Sequence, residues 1–176
     1  MMNARPGEFS LSDVTIRLAQ PDDQAVIVRL FRDSIIEGEL RGNDTGADID
    51  NLEEAYLSDN GASGFWVACA TPSAGVIGMI GVQKIRDNVA EIRRLRVHHH
   101  ARRHGVGTRL MEHAIEFCRK HEYLKVILDV RIDSRIERSP AIALFKKFGF
   151  TPGRMREIDE RRLIDFYLDL YRDPAQ

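Results

Sequence analysis

The chain has 176 residues, close to the size of one domain, and its 43% hydrophobic content is enough to fill a core. A formal net charge of -1 gives no global attraction to nucleic acid, and no apolar run approaches the roughly 20 residues that span a bilayer. Cys69 and Cys118 are too few for a disulfide framework and lack metal-ligand company, so both are expected as reduced core residues of a cytoplasmic protein.

Met1 to Ser12 is polar, has no signal-peptide apolar region and is a candidate for a disordered tail, which sets the domain at residues 13–172. Val14 to Leu18 alternates like a short strand, and Pro21-Asp22-Asp23 then opens a helix with Ile27, Leu30, Phe31 and Ile35 on one face. Asn43 to Asp48 reads as a polar loop, after which Ile49, Leu52 and Tyr56 mark a shorter helix that Asn60-Gly61 ends. Phe65 to Ala70, Val76 to Lys84 and Val89 to Val97 are strand-like runs joined by turn residues, an antiparallel meander. Leu110, Met111, Ala114, Ile115, Phe117 and Cys118 keep helical spacing, and the continuously apolar Val126 to Val130 completes a crossover unit. Ser139-Pro140 supplies a cap and first-turn proline for a helix carrying Ile142, Leu144, Phe145 and Phe148, which Gly149 closes. Phe150 starts the last strands, which end with Leu163 to Tyr171. The expectation is a single α/β (α+β) domain with a mixed central sheet of about six to seven strands and about four flanking helices.

Arg102-Arg103-His104-Gly105-Val106-Gly107-Thr108 lies between a strand and a helix, expected from Thr108, and forms a candidate phosphate cradle. Two glycines let backbone approach an anion, and the first helical amides carry partial positive charge. A Walker A loop needs a lysine that Gly107-Thr108 lacks. A dinucleotide fingerprint needs a small residue where Leu110 stands.

What remains, Arg-x-x-Gly-x-Gly after a strand, resembles the acyl-CoA pyrophosphate loop of the GNAT superfamily of N-acetyltransferases. The resemblance extends over about Thr15 to Tyr171. Ala90-Glu91-Ile92-Arg93-Arg94-Leu95-Arg96-Val97 is similar to the family's central strand, and Ala141 to Phe150 to its closing helix and Gly-Phe signature. The resemblance implies that the central and following strands splay apart around the pantetheine arm of acetyl-CoA. Leu95, Arg96 and Val97 would then hold the thioester end and Arg102, Arg103, His104, Gly105, Val106, Gly107 and Thr108 the pyrophosphate. Ser139 stands near a family asparagine that contacts the cofactor, with a helix cap as its plainer reading. Phe145 stands in the cofactor site where the family often has a tyrosine that protonates the departing sulfur.

The implied reaction moves an acetyl group from acetyl-CoA to a primary amine by direct attack. An alkylammonium has a pKa near 10, so a base is useful. Glu91 matches a catalytic glutamate of some family members and is assigned the base role, acting directly or through water; pairing with Arg93 or a neighbouring arginine is the structural reading. The Val97 amide would polarise the thioester carbonyl. With Phe145 lacking a hydroxyl, the sulfur leaves as a thiolate or is served by Tyr123, Tyr167 or water.

His98-His99-His100 with His104 suggests a metal, but consecutive residues of an extended run face opposite sides, so no metal is expected. Arginines 93, 94, 96, 102, 103 and 109 lack the aromatic interleaving of a nucleic-acid surface and fit the phosphates of CoA better, the remainder being solvated. Glu37, Glu39, Asp44, Asp48 and Asp50 fall on the expected acceptor rim and are placed to attract a cationic amine, or are a solvated acidic loop. The acceptor is a small-molecule or peptide amine, with no nucleic-acid or membrane partner, and exposed sheet edges are compatible with a homodimer. A noncatalytic acyl-CoA-binding sensor of the same fold is the alternative that Phe145 keeps open.

Overall fold

The computed structural model describes residues 10–36, 44–71, 75–132, 140–158 and 161–171. In chain order these form β1 (Val14–Leu18), α1 (Gln24–Ile36), α2 (Ala47–Asp50), a π-helical turn (Glu53–Leu57), β2 (Gly64–Ala70), β3 (Gly75–Arg86), β4 (Val89–Val97), α3 (Val106–Lys120), β5 (Lys125–Ile132), α4 (Pro140–Lys147), β6 (Thr151–Ile158) and β7 (Arg161–Asp169). Short 3₁₀ turns precede β1, α1 and α3.

One seven-stranded sheet runs in the order β1-β2-β3-β4-β5-β7-β6. All neighbours are antiparallel except β4 and β5, the pair joined through α3. A parallel pair needs a crossover, and the amphipathic α3 supplies it. The α/β reading therefore holds, with both sheet faces covered.

Each face has its own core. Val106, Leu110, Met111, Ala114, Ile115 and Cys118 of α3 pack with Trp66, Ala68, Ile80, Val82, Ala90, Ile92, Val126 and Leu128. Ile27, Leu30 and Phe31 of α1 pack with Ile49, Leu52 and Tyr56 on the opposite face, against Phe65, Val67, Cys69 and Met79. The unbroken apolar run of β2 follows from this, because successive side chains of a strand point to opposite faces and both faces are buried. Cys69 and Cys118 are buried in separate cores, unpaired.

The second helix differs from the single segment expected from Ile49 to Tyr56. Asn51 leaves helical dihedrals (φ -133°, ψ 65°) and its side chain turns to Glu54, so α2 ends and the chain resumes as a π turn. That turn presses Tyr56 onto β3 at Gly81. A Cβ there would come within 2.7 Å of Tyr56 Cε1 and 3.0 Å of Phe65 Cδ2, both buried rings with little room to retreat. Gly81→Ala is expected to destabilise the fold by about 1–3 kcal/mol through overpacking. Urea denaturation would show this as a lower midpoint; an unchanged midpoint would mean that the Tyr56 ring yields freely.

Candidate active site

The site begins with a phase problem in β4. Ala90 and Ile92 face the α3 core, and strict alternation would next send Arg94 and Arg96 into it while turning Leu95 and Val97 away. The ladder with β3 resolves this. Gly81 pairs with Arg93 and Met79 with Arg96, so Arg94 and Leu95 together oppose Ile80. Arg94 takes a left-handed backbone (φ 59°) to form this bulge. The extra residue resets the phase, and Leu95 and Val97 pack with the α3 core after all.

Arg94 is thereby delivered to the opposite face, where a cage receives it. Nη1 donates to Asp44 Oδ2 at 2.5 Å, Nη2 to Asp44 Oδ1 at 2.9 Å, and Nε to Asp48 Oδ2 at 2.9 Å, with a further short bond from Nη2 to Asp48. The guanidinium lies 5.0 Å from the Phe31 ring centroid, and Tyr56 Oη donates to Asp48 at 2.5 Å. Only 7% of the Arg94 side chain is exposed. Burial works to raise the pKa of both aspartates, but hydrogen bonds and charge from Arg94 outweigh it and hold both below the ordinary value. Burial likewise opposes the charge on Arg94, and the two carboxylates more than offset it.

The second feature is a gap. Parallel pairing of β4 with β5 covers only Val89 with Lys125, Ala90 with Val126 and Glu91 with Ile127, although β4 continues to Val97 and β5 to Ile132. The strands part immediately after Glu91. The His98 amide donates to Ile77 on the β3 side, so by strand alternation the Val97 amide turns toward the gap.

At the far end of the gap lies the glycine loop. Ala101 is buried as an anchor, Arg102 Nε donates to the Val97 carbonyl at 3.0 Å, and His104 Nδ1 meets the Arg102 carbonyl at 2.8 Å. Arg103 and Gly105 take left-handed dihedrals that turn the chain into α3. The helix starts at Val106, not at the expected Thr108, because Gly105 is its cap and its carbonyl accepts the Arg109 amide. The amides of Val106, Gly107 and Thr108 therefore form the first turn, where no intrahelical acceptor exists. Close approach of α3 to the sheet is allowed by Gly78 on β3, whose Cβ would lie 3.0 Å from Leu110. The Gly107 Cα faces Val97 of β4 and Leu144 of α4, each within 3.7 Å of where its Cβ would be. Strand end, loop and closing helix thus converge at one point.

A model of the Acetyltransferase (GNAT) family matches residues 30–150, more than half of the chain. The chain belongs to this GNAT family. An N-acetylaspartate synthetase of Danio rerio is 29% identical over 136 residues, which cover 71% of this chain and 46% of that protein. The chain spans about half the length of the curated relatives it matches. Ard1 of Thermoplasma volcanium shares the fold with a TM-score of 0.73 and 27% identity, covering 91% of this chain and 99% of Ard1. A spermidine N-acetyltransferase of Vibrio cholerae, solved with CoA and spermine, has a TM-score of 0.70 and 17% identity over 90% of this chain and 96% of its own.

In this GNAT domain the structure brings Leu95, Arg96 and Val97 to the end of β4, next to Arg102, Arg103, His104, Gly105, Val106, Gly107 and Thr108. Glu91 stands at the last paired rung, its side chain 20% exposed, with Arg93 Nε 3.9 Å from Oε2. Arg93 also donates to Gln83 at 2.7 Å. Phe145 is buried, its ring centroid 6.1 Å from those of both Phe150 and Phe166. Ser139, Glu37 and Glu39 lie outside the described residues.

Several expectations are corrected. Arg94 is not available for CoA phosphates, and Asp44 and Asp48 are not an open acidic rim, because the three side chains are bound to one another in the cage. Arg109 donates to the carbonyls of Leu11 (2.9 Å) and Val14 (2.6 Å), tying α3 to β1 instead of facing a phosphate. Tyr123 donates to Ala62 at 2.5 Å just before β5, at the end away from the gap, and burial pushes its pKa up to about 12. Tyr167 lies opposite Ile127 with Lys125 Nζ 4.7 Å from its ring centroid. The Arg94 cage escaped the sequence reading, although the consecutive Arg93-Arg94 in an alternating strand was a visible sign of a bulge.

The His98, His99 and His100 rings cluster with mutual tilts of 32–43°, centroids 4.4 Å apart for His98 and His99, 5.4 Å for His98 and His100 and 3.9 Å for His99 and His100. Burial, then the adjacent His99 and His100, lowers the His98 pKa, and burial lowers that of His113 beside Trp66. A proton then favours the unfolded chain, so stability is complete above the unfolded value near 6.5 and falls as the pH drops below it. Urea midpoints are expected to decline between about pH 7.5 and 5.5, and less steeply in His98→Gln. Equal slopes in the two proteins would assign the decline to other groups.

Proposed function

We propose that the chain is an acetyl-CoA-dependent N-acetyltransferase acting on a primary amine, with Glu91 as the base. The observation that carries this reading is the parting of β4 from β5 directly after Glu91, with the first turn of α3 at the far end of the opening. The residues fit the cofactor: backbone along the gap suits an extended pantetheine arm, and the amides of Val106, Gly107 and Thr108, with Arg102 and Arg103 nearby, suit a pyrophosphate. Acetyl-CoA supplies an activated acetyl thioester, whose carbon–sulfur bond breaks as the amine nitrogen bonds to the carbonyl carbon. The Val97 amide donates to the thioester oxygen as charge develops there. Glu91 accepts the proton that the amine must lose, directly or through one water, and Arg93, 3.9 Å away, orients it. The buried, reduced Cys69 and Cys118 favour action in the cytoplasm. Among the described residues no helix is long and apolar enough to cross a membrane.

The buried Phe145 favours a second reading, an acyl-CoA-binding module without turnover. Free-thiol release from acetyl-CoA, measured with a free amino acid, a polyamine and a peptide amine, separates the two. Turnover with any of them supports the enzyme, and tight binding with none supports the module. CoA is expected to raise the melting temperature where ATP and NAD do not; the reverse would sink both readings. Glu91→Gln is expected to lower kcat about 100-fold at neutral pH with CoA affinity unchanged. Full activity in that variant would leave Glu91 as a structural partner of Arg93.

A further inference from the structure

Arg94 lies between the two ends of the proposed chemistry, three residues after Glu91 and three before Val97, on the face of β4 opposite the α3 core. Its four bonds to Asp44 and Asp48 span a sequence separation of about fifty residues and attach the start of the α2 segment to the strand. Supporting contacts show that this attachment is built into the fold. Gly46 takes a left-handed φ of 69° and has no Cβ, which would fall 2.5 Å from Phe31 Cε1; this lets the 44–48 segment close over the ring that lies against Arg94. Gly46 also donates its amide to Asp44, and its carbonyl accepts the amides of Ile49 and Asp50. Tyr56, seated over Gly81, fixes Asp48 from behind. The cofactor side of β4 takes no part, since Leu95 and Val97 point to the other face.

We propose that Arg94 is a positioning residue for the acceptor: it fixes the Asp44–Tyr56 segment against β4 as one wall of the amine site, and so governs amine binding without governing cofactor binding. This rests on the acetyl-transfer reading above. It also bears on specificity. Asp44 and Asp48 are committed to Arg94, and Arg93 adds positive charge beside Asp48, so these two carboxylates are held in the cage and are not free to bind a cationic amine. Acceptor selection then follows the shape of the wall, not a charge attraction from these two carboxylates.

The test compares wild type with Arg94→Gln, Arg94→Lys and Asp44→Asn, using whichever amine the wild type acetylates best. Arg94→Gln is expected to raise KM for the amine about tenfold or more, with kcat changed far less and CoA affinity, from titration with CoA, unchanged. Arg94→Lys keeps the charge and loses the two-pronged geometry, so it should fall between the two. Amide exchange in residues 46–57 should accelerate in Arg94→Gln. Asp44→Asn removes one ligand from the partly exposed side of the cage and should show a smaller effect of the same kind, which keeps the test intact if Arg94→Gln fails to fold. An unchanged KM with a lowered melting temperature would reduce Arg94 to a structural role and overturn the proposal. So would a lower KM for a cationic amine in Arg94→Gln, which would mean that the freed aspartates bind substrate. If the wild type acetylates no amine, the acetyl-transfer reading itself fails and this proposal falls with it, an outcome distinct from an unchanged KM in Arg94→Gln.

Discussion

The phase of β4 is the constraint on which the rest of the structure depends. Four of its residues, Ala90, Ile92, Leu95 and Val97, must meet the α3 core, yet their spacing breaks period two between Ile92 and Leu95. A regular strand would bury guanidinium groups among Val106, Leu110 and Met111 and expose Leu95 and Val97. Placing an unpaired cation in such a core costs far more than a backbone irregularity. A left-handed non-glycine residue costs on the order of 1–3 kcal/mol, so the bulge at Arg94 is the cheaper solution by a wide margin.

The bulge in turn creates its own electrostatic demand. It turns Arg94 toward α1 and α2, where it is 7% exposed, and a buried cation is tolerated only when paired and fully hydrogen-bonded. Asp44 and Asp48 meet that demand from two successive turns of chain, and the Phe31 face contributes a cation–π contact worth about 1–2 kcal/mol when desolvated. Such a network adds little net stability over a well-packed apolar substitute. Its physical value lies in direction: without Arg94 two largely buried carboxylates lose their cation, a loss of about 3–5 kcal/mol, so placements of the 44–48 segment that break these bonds are strongly disfavoured. The same strand thus packs Leu95 and Val97 into the α3 core on one face and holds the 44–48 segment through Arg94 on the other.

Much of this was legible in the sequence, and the parts that were not share a cause. Strand and helix positions followed from apolar spacing: β4 runs from Val89 to Val97 as its pattern indicates, and the continuously apolar β2 is buried on both faces. The glycine loop was recognisable because the turn needs left-handed backbone, which Gly105 supplies at φ 83°. Hydrogen-bond partners far apart in sequence were not recognisable. Arg94 reads as one more surface arginine, and Asp44 and Asp48 as a polar loop, because nothing local couples residue 48 to residue 94. Arg109, whose side chain reaches back to Leu11 and Val14, was misread for the same reason. Tyr123 looked available as an acid until its Ala62 partner placed it at the wrong end of β5.

The exchange of a hydroxyl for a phenyl ring at Phe145 is best weighed by magnitudes. At pH 7 a thiol of pKa near 8.5 favours its protonated form by about 2 kcal/mol, which limits what a leaving-group acid contributes from that equilibrium alone. An alkylammonium of pKa near 10.4 requires about 4–5 kcal/mol to present a neutral nitrogen at the same pH, so proton removal is the larger of the two tasks. Phe145 meanwhile packs with Phe150 and Phe166, and a buried hydroxyl in that ring cluster would need a partner or cost about 1–3 kcal/mol. On the proposed reading, the energetic balance therefore asks more of a proton acceptor such as the partly exposed Glu91 than of a leaving-group acid at position 145.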